Sequence, residues 1–292
     1  MADTTRIGLA LLAALALGVS GCKRESPAPA LGPQPQDTAQ PAPDAAAAPS
    51  AKVEDVSESD PRYVVGISYP PEVNQYPGLA AELKRYADAA RAELQQAVDG
   101  LGGEKPTAPY ELSLSFTRLA DTPGLVAIAA DGSTYTGGAH GSPLIARFLW
   151  LKPQARMLTA TELVPDPEAW RAISDYAREQ LHTRLSERLD GDDLAPAERA
   201  ELLRSAGRMV DEGTQPDAEN FAQFEPVLGA EGRIAALRFV FPPYQVGPYS
   251  DGTQSVEVPA AVLLPSVAPA YRELFQAAAG TQQEPTAGAT AQ

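Results

Sequence analysis

Only one cysteine and two histidines occur in this chain of 292 residues. That scarcity excludes thiolate zinc sites, iron–sulfur clusters, intrachain disulfides and metal sites built mainly from imidazole. No cofactor or metal is expected. Positive charge is also short: Lys+Arg 23 against Asp+Glu 38 gives a net −15. Such a surface repels phosphate backbones, so no nucleic-acid partner is expected. The apolar content of 44% nevertheless supports a folded core.

The amino terminus carries an export pattern. Arg6 precedes an apolar run over residues 7–19, and small residues then lead to Gly21 and Cys22. The run is shorter than the ~20 residues of a membrane-spanning helix. Leu17-Gly18-Val19-Ser20-Gly21-Cys22 resembles a bacterial lipobox. That resemblance implies a signal peptide over 1–21 and acylation of Cys22, with the lipid bilayer as its partner. More than one acyl chain makes such an anchor stable, at ~0.8 kcal/mol per buried methylene. Lys23 rather than Asp after the cysteine implies delivery to the periplasmic face of the outer membrane.

Residues 22–60 are rich in Pro and Ala and poor in large apolar side chains, so they read as a disordered tether. Residues 277–292 read as a flexible tail. Between them, over 61–276, strand and helix patterns take turns. Val65, Ile67 and Tyr69 alternate with small residues, as do Tyr110, Leu112, Leu114 and Phe116 with polar ones, and both predict half-buried strands. Pro77 opens a helix in which Leu79, Leu83, Tyr86, Ala90, Leu94 and Ala97 recur at helical spacing up to Gly100. Further strands are predicted at 125–130, 144–151, 234–241 and 256–259. Helices are predicted after the Asp166-Pro167 start signal and over 196–209. This grouping indicates an α+β fold with a largely antiparallel sheet and packed helices, in two intimately associated halves, about 61–133 and 134–276.

Two loops stand out. Tyr135-Thr136-Gly137-Gly138-Ala139-His140-Gly141 places three glycines around one of the two histidines, which marks a sharp loop or a contact surface. Phe241-Pro242-Pro243-Tyr244-Gln245-Val246-Gly247-Pro248-Tyr249-Ser250-Asp251-Gly252 is the second. In this order, behind an export signal, the pair resembles the exported domain shared by the anti-sigma factor RsiV and the peptidoglycan deacetylase PdaC. The resemblance spans roughly 63–274. It implies a cell-envelope binding module, because RsiV is a lysozyme receptor and the chemistry of PdaC belongs to a separate domain. The implied partners are a cationic protein such as lysozyme, or peptidoglycan. The implied contact residues are Tyr135, Gly137, Gly138, His140, Gly141, Tyr244 and Tyr249.

No nucleophile elbow, zinc-protease or P-loop pattern accompanies His140. Its three readings are a general base, a ligand contact and a hydrogen bond within its own loop. Tyr244 and Tyr249 either present aromatic faces to a partner or pack their loop on its own sheet. His182, among charged neighbours, reads as a solvated helix residue. Residues 187–231 hold twelve carboxylates against four arginines, a segment that would steer a basic partner. Non-catalytic recognition is therefore the leading expectation. A peptidoglycan hydrolase or deacetylase-associated enzyme and a structural envelope-assembly lipoprotein are the other classes.

Overall fold

The alternation around Leu112 and Leu114 forms strand β3, Tyr110–Asp121, which buries Leu112, Leu114 and Phe116 and exposes the residues between them. The computed structural model describes residues 52–276. Cys22, the signal peptide, residues 22–51 of the tether and the tail from 277 lie outside the described residues.

Six strands form the larger sheet in sequential order: β1 (Val56–Asp60), β2 (Tyr63–Ser68), β3, β4 (Leu125–Tyr135), β5 (Ser142–Leu151) and β6 (Arg156–Met157). Neighbours are antiparallel except β2 and β3, which run parallel and therefore need a crossover. Helix α1 (Pro77–Asp99) supplies it, starting at Pro77, whose missing N–H costs nothing in the first turn. Its buried stripe of Leu79, Leu83, Ala87, Ala90, Leu94 and Val98 covers one face of the sheet. Each such leucine contributes about 1.5–3 kcal/mol by leaving water.

Two short elements, β6 and α2 (Ala160–Leu163), follow, with Thr159 and Glu162 forming a reciprocal capping box on α2. Asp166 then caps a single 3-10 turn through the Glu168 amide, and that turn feeds α3 (Trp170–Gly191). Helix α4 (Pro196–Gly213) packs on α3. The smaller antiparallel sheet contains β7 (Phe224–Leu228), β8 (Ile234–Phe241) and β9 (Gln254–Pro259), and α5 (Ala260–Leu263) and a 3-10 turn over Pro269–Leu274 follow. One core joins the second face of β4 and β5, through Leu125, Ala127, Leu149 and Leu151, to Trp170, Phe221, Leu237, Phe239 and Val256. Strand β4 is therefore buried on both faces, which is why residues 125–130 are apolar without alternation. The α+β fold with a mostly antiparallel sheet agrees with the sequence reading.

Two boundaries shift. The folded part starts before residue 61: Val53 is buried, exchanges hydrogen bonds with the Asn74 side chain at 2.9 and 3.0 Å, and leads into β1. The polar sequence Val56-Ser57-Glu58-Ser59-Asp60 gives no strand signal of its own and is held by pairing with β2. The division at 133/134 falls inside β4, and the chain instead passes from the larger sheet to the smaller one through α2, α3 and α4.

On the α1 side, Tyr69 stacks on Phe116 at 4.7 Å, and Tyr86 meets Phe116 and Phe148 edge-on. Burial, reinforced by the Asp88 carboxylate for Tyr69 and the Asp131 carboxylate for Tyr86, pushes both phenols up to about 12. An unfolded phenol ionises near ~10. The folded chain keeps these protons longer, so stability should fall as pH rises from about 10 to 12. Ultraviolet titration should show two late-ionising tyrosines that revert to ordinary behaviour in denaturant; uniform ionisation near 10 in the folded chain would refute this.

Candidate functional site

Loop one is the tip of the β4–β5 hairpin. Gly137 and Gly138 adopt φ +98° and +96°, in the left-handed half of backbone space that disfavours side chains. Gly141 is needed for a different reason: a Cβ there would lie 2.8 Å from the Thr134 carbonyl oxygen across the hairpin. Tyr135, at the end of β4, donates its hydroxyl to the Gly138 carbonyl at 3.3 Å and braces the tip.

Loop two joins β8 to β9. Its first turn closes by Gln245 N–H donating to the Pro242 carbonyl at 3.1 Å, with Pro243 and Tyr244 at the two central positions. Tyr244 has φ +75°, the value a type II turn assigns to glycine or asparagine. A bulky residue there is strained by about 1–2 kcal/mol, and Tyr244 is 56% exposed. Tyr244 therefore does not pack its loop on the sheet; the turn holds the ring outward.

The two loops meet at His140. Its ring stacks on Tyr249 with centroids 4.0 Å apart and planes 19° apart, and lies 6.3 Å from the Tyr244 ring. The Tyr244 hydroxyl and His140 Nε2 are 3.2 Å apart across 104 residues of sequence. His140 Nδ1 lies 3.1 Å from the Gly141 carbonyl, which can only accept. A neutral ring thus carries its proton on Nδ1 and accepts the Tyr244 hydroxyl at Nε2. The Gly141 carbonyl thus orients the ring through Nδ1, and Nε2 faces the Tyr244 hydroxyl. His140, Tyr244 and Tyr249 form one aromatic cluster, and Tyr135, Gly137, Gly138 and Gly141 shape the loop that presents it.

Residues that carry no motif hold the loops in place. Arg147 on β5 donates Nε to Glu225 on β7 at 2.7 Å and Nη1 to Asp131 at 3.0 Å, and its backbone N–H donates to Gln223 Oε1 at 2.8 Å. Both partners of the Arg147–Glu225 pair are only 8% exposed. Glu225 also accepts from Arg238, which pairs in turn with Glu257. The hairpin carrying loop one is thereby fixed to the sheet carrying loop two. The only sequence signal was an arginine and a glutamate inside otherwise apolar strand segments.

Loop two is also held from below. Arg188 on α3 pairs with Asp251 at 2.8 Å, and the Gln245 amide donates to the carbonyls of Gly213 and Asn220 at 3.0 and 2.9 Å. A Cβ on Gly213 would sit 2.0 Å from the Gln245 carbonyl oxygen. Since that obstacle is backbone, Gly213→Ala should cost about 1–3 kcal/mol by displacing loop two. Thermal unfolding checks it, and an unchanged midpoint would contradict it.

The acidic segment is partly neutralised internally. Asp190 pairs with Arg199, Glu201 with Arg204, and Asp211 with Arg178. His182 is not merely solvated: its Nε2 lies 2.9 Å from Asp211 Oδ1 and joins α3 to α4, where Gly207 leaves room for its ring. Among the described residues no cluster of His, Cys, Asp or Glu is arranged to hold a metal, and no helix is long and apolar enough to cross a membrane.

Residues 163–261 match the model of DUF3298, a protein family of unknown function. The DUF3298 segment contains α3, α4, the smaller sheet and loop two; loop one precedes it. Solved structures of two DUF3298 family proteins are among those similar to this chain. A DUF3298 family protein from Pseudomonas aeruginosa PAO1 is 18% identical with a TM-score of 0.48, covering 76% of this chain and 95% of that one. A member of the same family from Bacteroides fragilis NCTC 9343 is 16% identical with a TM-score of 0.45, covering 74% and 92%. No curated protein matches.

Proposed function

We propose that this chain is a lipoprotein of the bacterial cell envelope, anchored through acylated Cys22 at the periplasmic face of the outer membrane, and that it acts as a non-catalytic binding module. The observation that carries the reading is the His140–Tyr244–Tyr249 cluster, assembled from two loops, with His140 and Tyr244 exposed and Tyr244 held outward by a left-handed backbone. Tyrosine combines a large contact area with a polar tip and suits the centre of a recognition surface.

The preferred partner is a cationic protein such as lysozyme. The resemblance to the RsiV-type exported domain supports it, as do the carboxylates Glu187, Asp192, Asp193 and Glu198 around the end of α3, none of which has an ion-pair partner among the described residues. Charges beyond the ~8 Å Debye length are screened at physiological salt, so association with lysozyme should slow as salt rises while dissociation changes less.

Surface-binding kinetics of the full chain against a panel of lysozymes, beside a pull-down with isolated sacculi, test the reading. Lysozyme binding with salt-sensitive association is expected. Retention on sacculi alone would transfer the role to peptidoglycan, and release of sacculus fragments would replace the module with an enzyme. Mass spectrometry of the amino-terminal peptide from native membranes should find acylated Cys22; an unmodified terminus there would overturn the anchor.

A further inference from the structure

An open cavity of about 110 Å³ lies between α3, α4 and loop two, apart from the aromatic cluster. Its floor is apolar: Leu181, Leu185, Val210 and Val246 line it and are all buried. Its rim is cationic, which is unexpected in a chain of net charge −15. Arg184 and Arg188 stand one turn apart on α3, facing Asp251 and Gln254.

Arg188 is committed to Asp251 at 2.8 Å, and the Gln254 amide donates to the Asp251 carbonyl at 2.6 Å. Arg184 gives Nη1 to the Ser255 carbonyl and has no carboxylate partner among the described residues. A guanidinium has five donors, so Arg184 keeps Nε and Nη2 for a second acceptor. The rim thus holds one more positive charge than it neutralises, directly over an apolar floor. That pairing of chemistries is the usual form of a small-ligand site, with apolar walls for affinity and one charged group for orientation.

We propose that this cavity binds a carboxylate with a short branched aliphatic tail, the tail on Leu181, Leu185, Val210 and Val246 and the carboxylate against Arg184. An apolar cavity of about 150 Å³ accepts benzene, so the smaller volume here suits a branched tail of three or four carbons. Bidentate pairing of carboxylate with guanidinium gives the contact both energy and direction. A free short-chain acid and the carboxyl-terminal residue of a peptide share this chemistry.

Calorimetric titration of the full chain with 3-methylbutanoate and with N-acetyl-leucine tests the site. Saturable binding at millimolar concentration is expected for at least one; the acid that binds identifies the source, and binding of both supports the shared chemistry. The matching carboxamide should bind about tenfold more weakly or less, because it leaves Arg184 without a charged partner. Arg184→Gln, at an exposed position, should weaken binding about tenfold with folding intact. Ala206→Leu should fill the cavity and abolish binding while Arg184 remains. No saturable binding of either acid, or equal binding of acid and carboxamide, would overturn the proposal. None of these outcomes depends on the aromatic cluster or on lysozyme.

Discussion

Arg147→Ala should lower the stability of the fold by about 3 kcal/mol, the low end of what breaking a buried ion pair costs. The substitution strands Glu225, 8% exposed, with Arg238 as its remaining cation. Arg238 is 40% exposed and shared with Glu257, so it compensates only in part. Replacing both partners, as Arg147→Met with Glu225→Leu, removes the stranded charge and should recover most of the loss, since well-packed apolar pairs match buried ion pairs in stability. Chemical denaturation of the single and double variants gives the comparison. A single variant that loses less than about 1 kcal/mol would mean that water reaches Glu225 and that the pair does not clamp the two sheets.

Phe239→Ala should cost more, about 3–5 kcal/mol. Phe239 is fully buried on β8 and meets three aromatic neighbours: Phe221 edge-on at 5.2 Å, Phe224 at 6.2 Å and Trp170 edge-on at 6.4 Å. Truncation removes the transfer energy of the ring and leaves a cavity walled by rigid aromatics that cannot collapse into it. For a domain of this size each kcal/mol shifts the thermal midpoint by about 2–4 °C, so a fall of about 6–20 °C is expected. Because β8 runs directly into loop two, the variant should also loosen Tyr244 and Tyr249, visible as faster amide exchange through residues 242–253. A midpoint lowered by less than about 3 °C would show that the smaller sheet is not the core claimed for it.

What the sequence made legible follows from local physics. The alternation of β3, the spacing of α1 and the Asp166-Pro167 start signal each arise within a few residues, and each element is where its pattern puts it. Elements held by their neighbours left no such trace. Strand β1 is polar and exists through its ladder with β2. Strand β7 contains Glu225 and Pro226, which argue against a strand in isolation; as an edge strand it tolerates the proline, and its glutamate is matched by Arg147 from the other sheet. The same division applies to the site. Composition singled out both loops, but their convergence on His140 is a tertiary contact across 104 residues, and the positive φ of Tyr244 has no signature in a residue type that rarely adopts it.

That strained tyrosine provides the most direct measurement. Tyr244→Gly keeps the turn, relieves the left-handed backbone and should leave stability unchanged or raise it by up to about 1 kcal/mol. It also deletes an exposed ring of the cluster. With a cationic lysozyme as the probe at low salt, dissociation from the full-length variant should be about 30-fold faster than from the native chain, the loss of about 2 kcal/mol that marks a central contact residue. A Tyr244→Gly variant that is equally stable and releases lysozyme at the native rate would contradict the assignment of this surface to recognition.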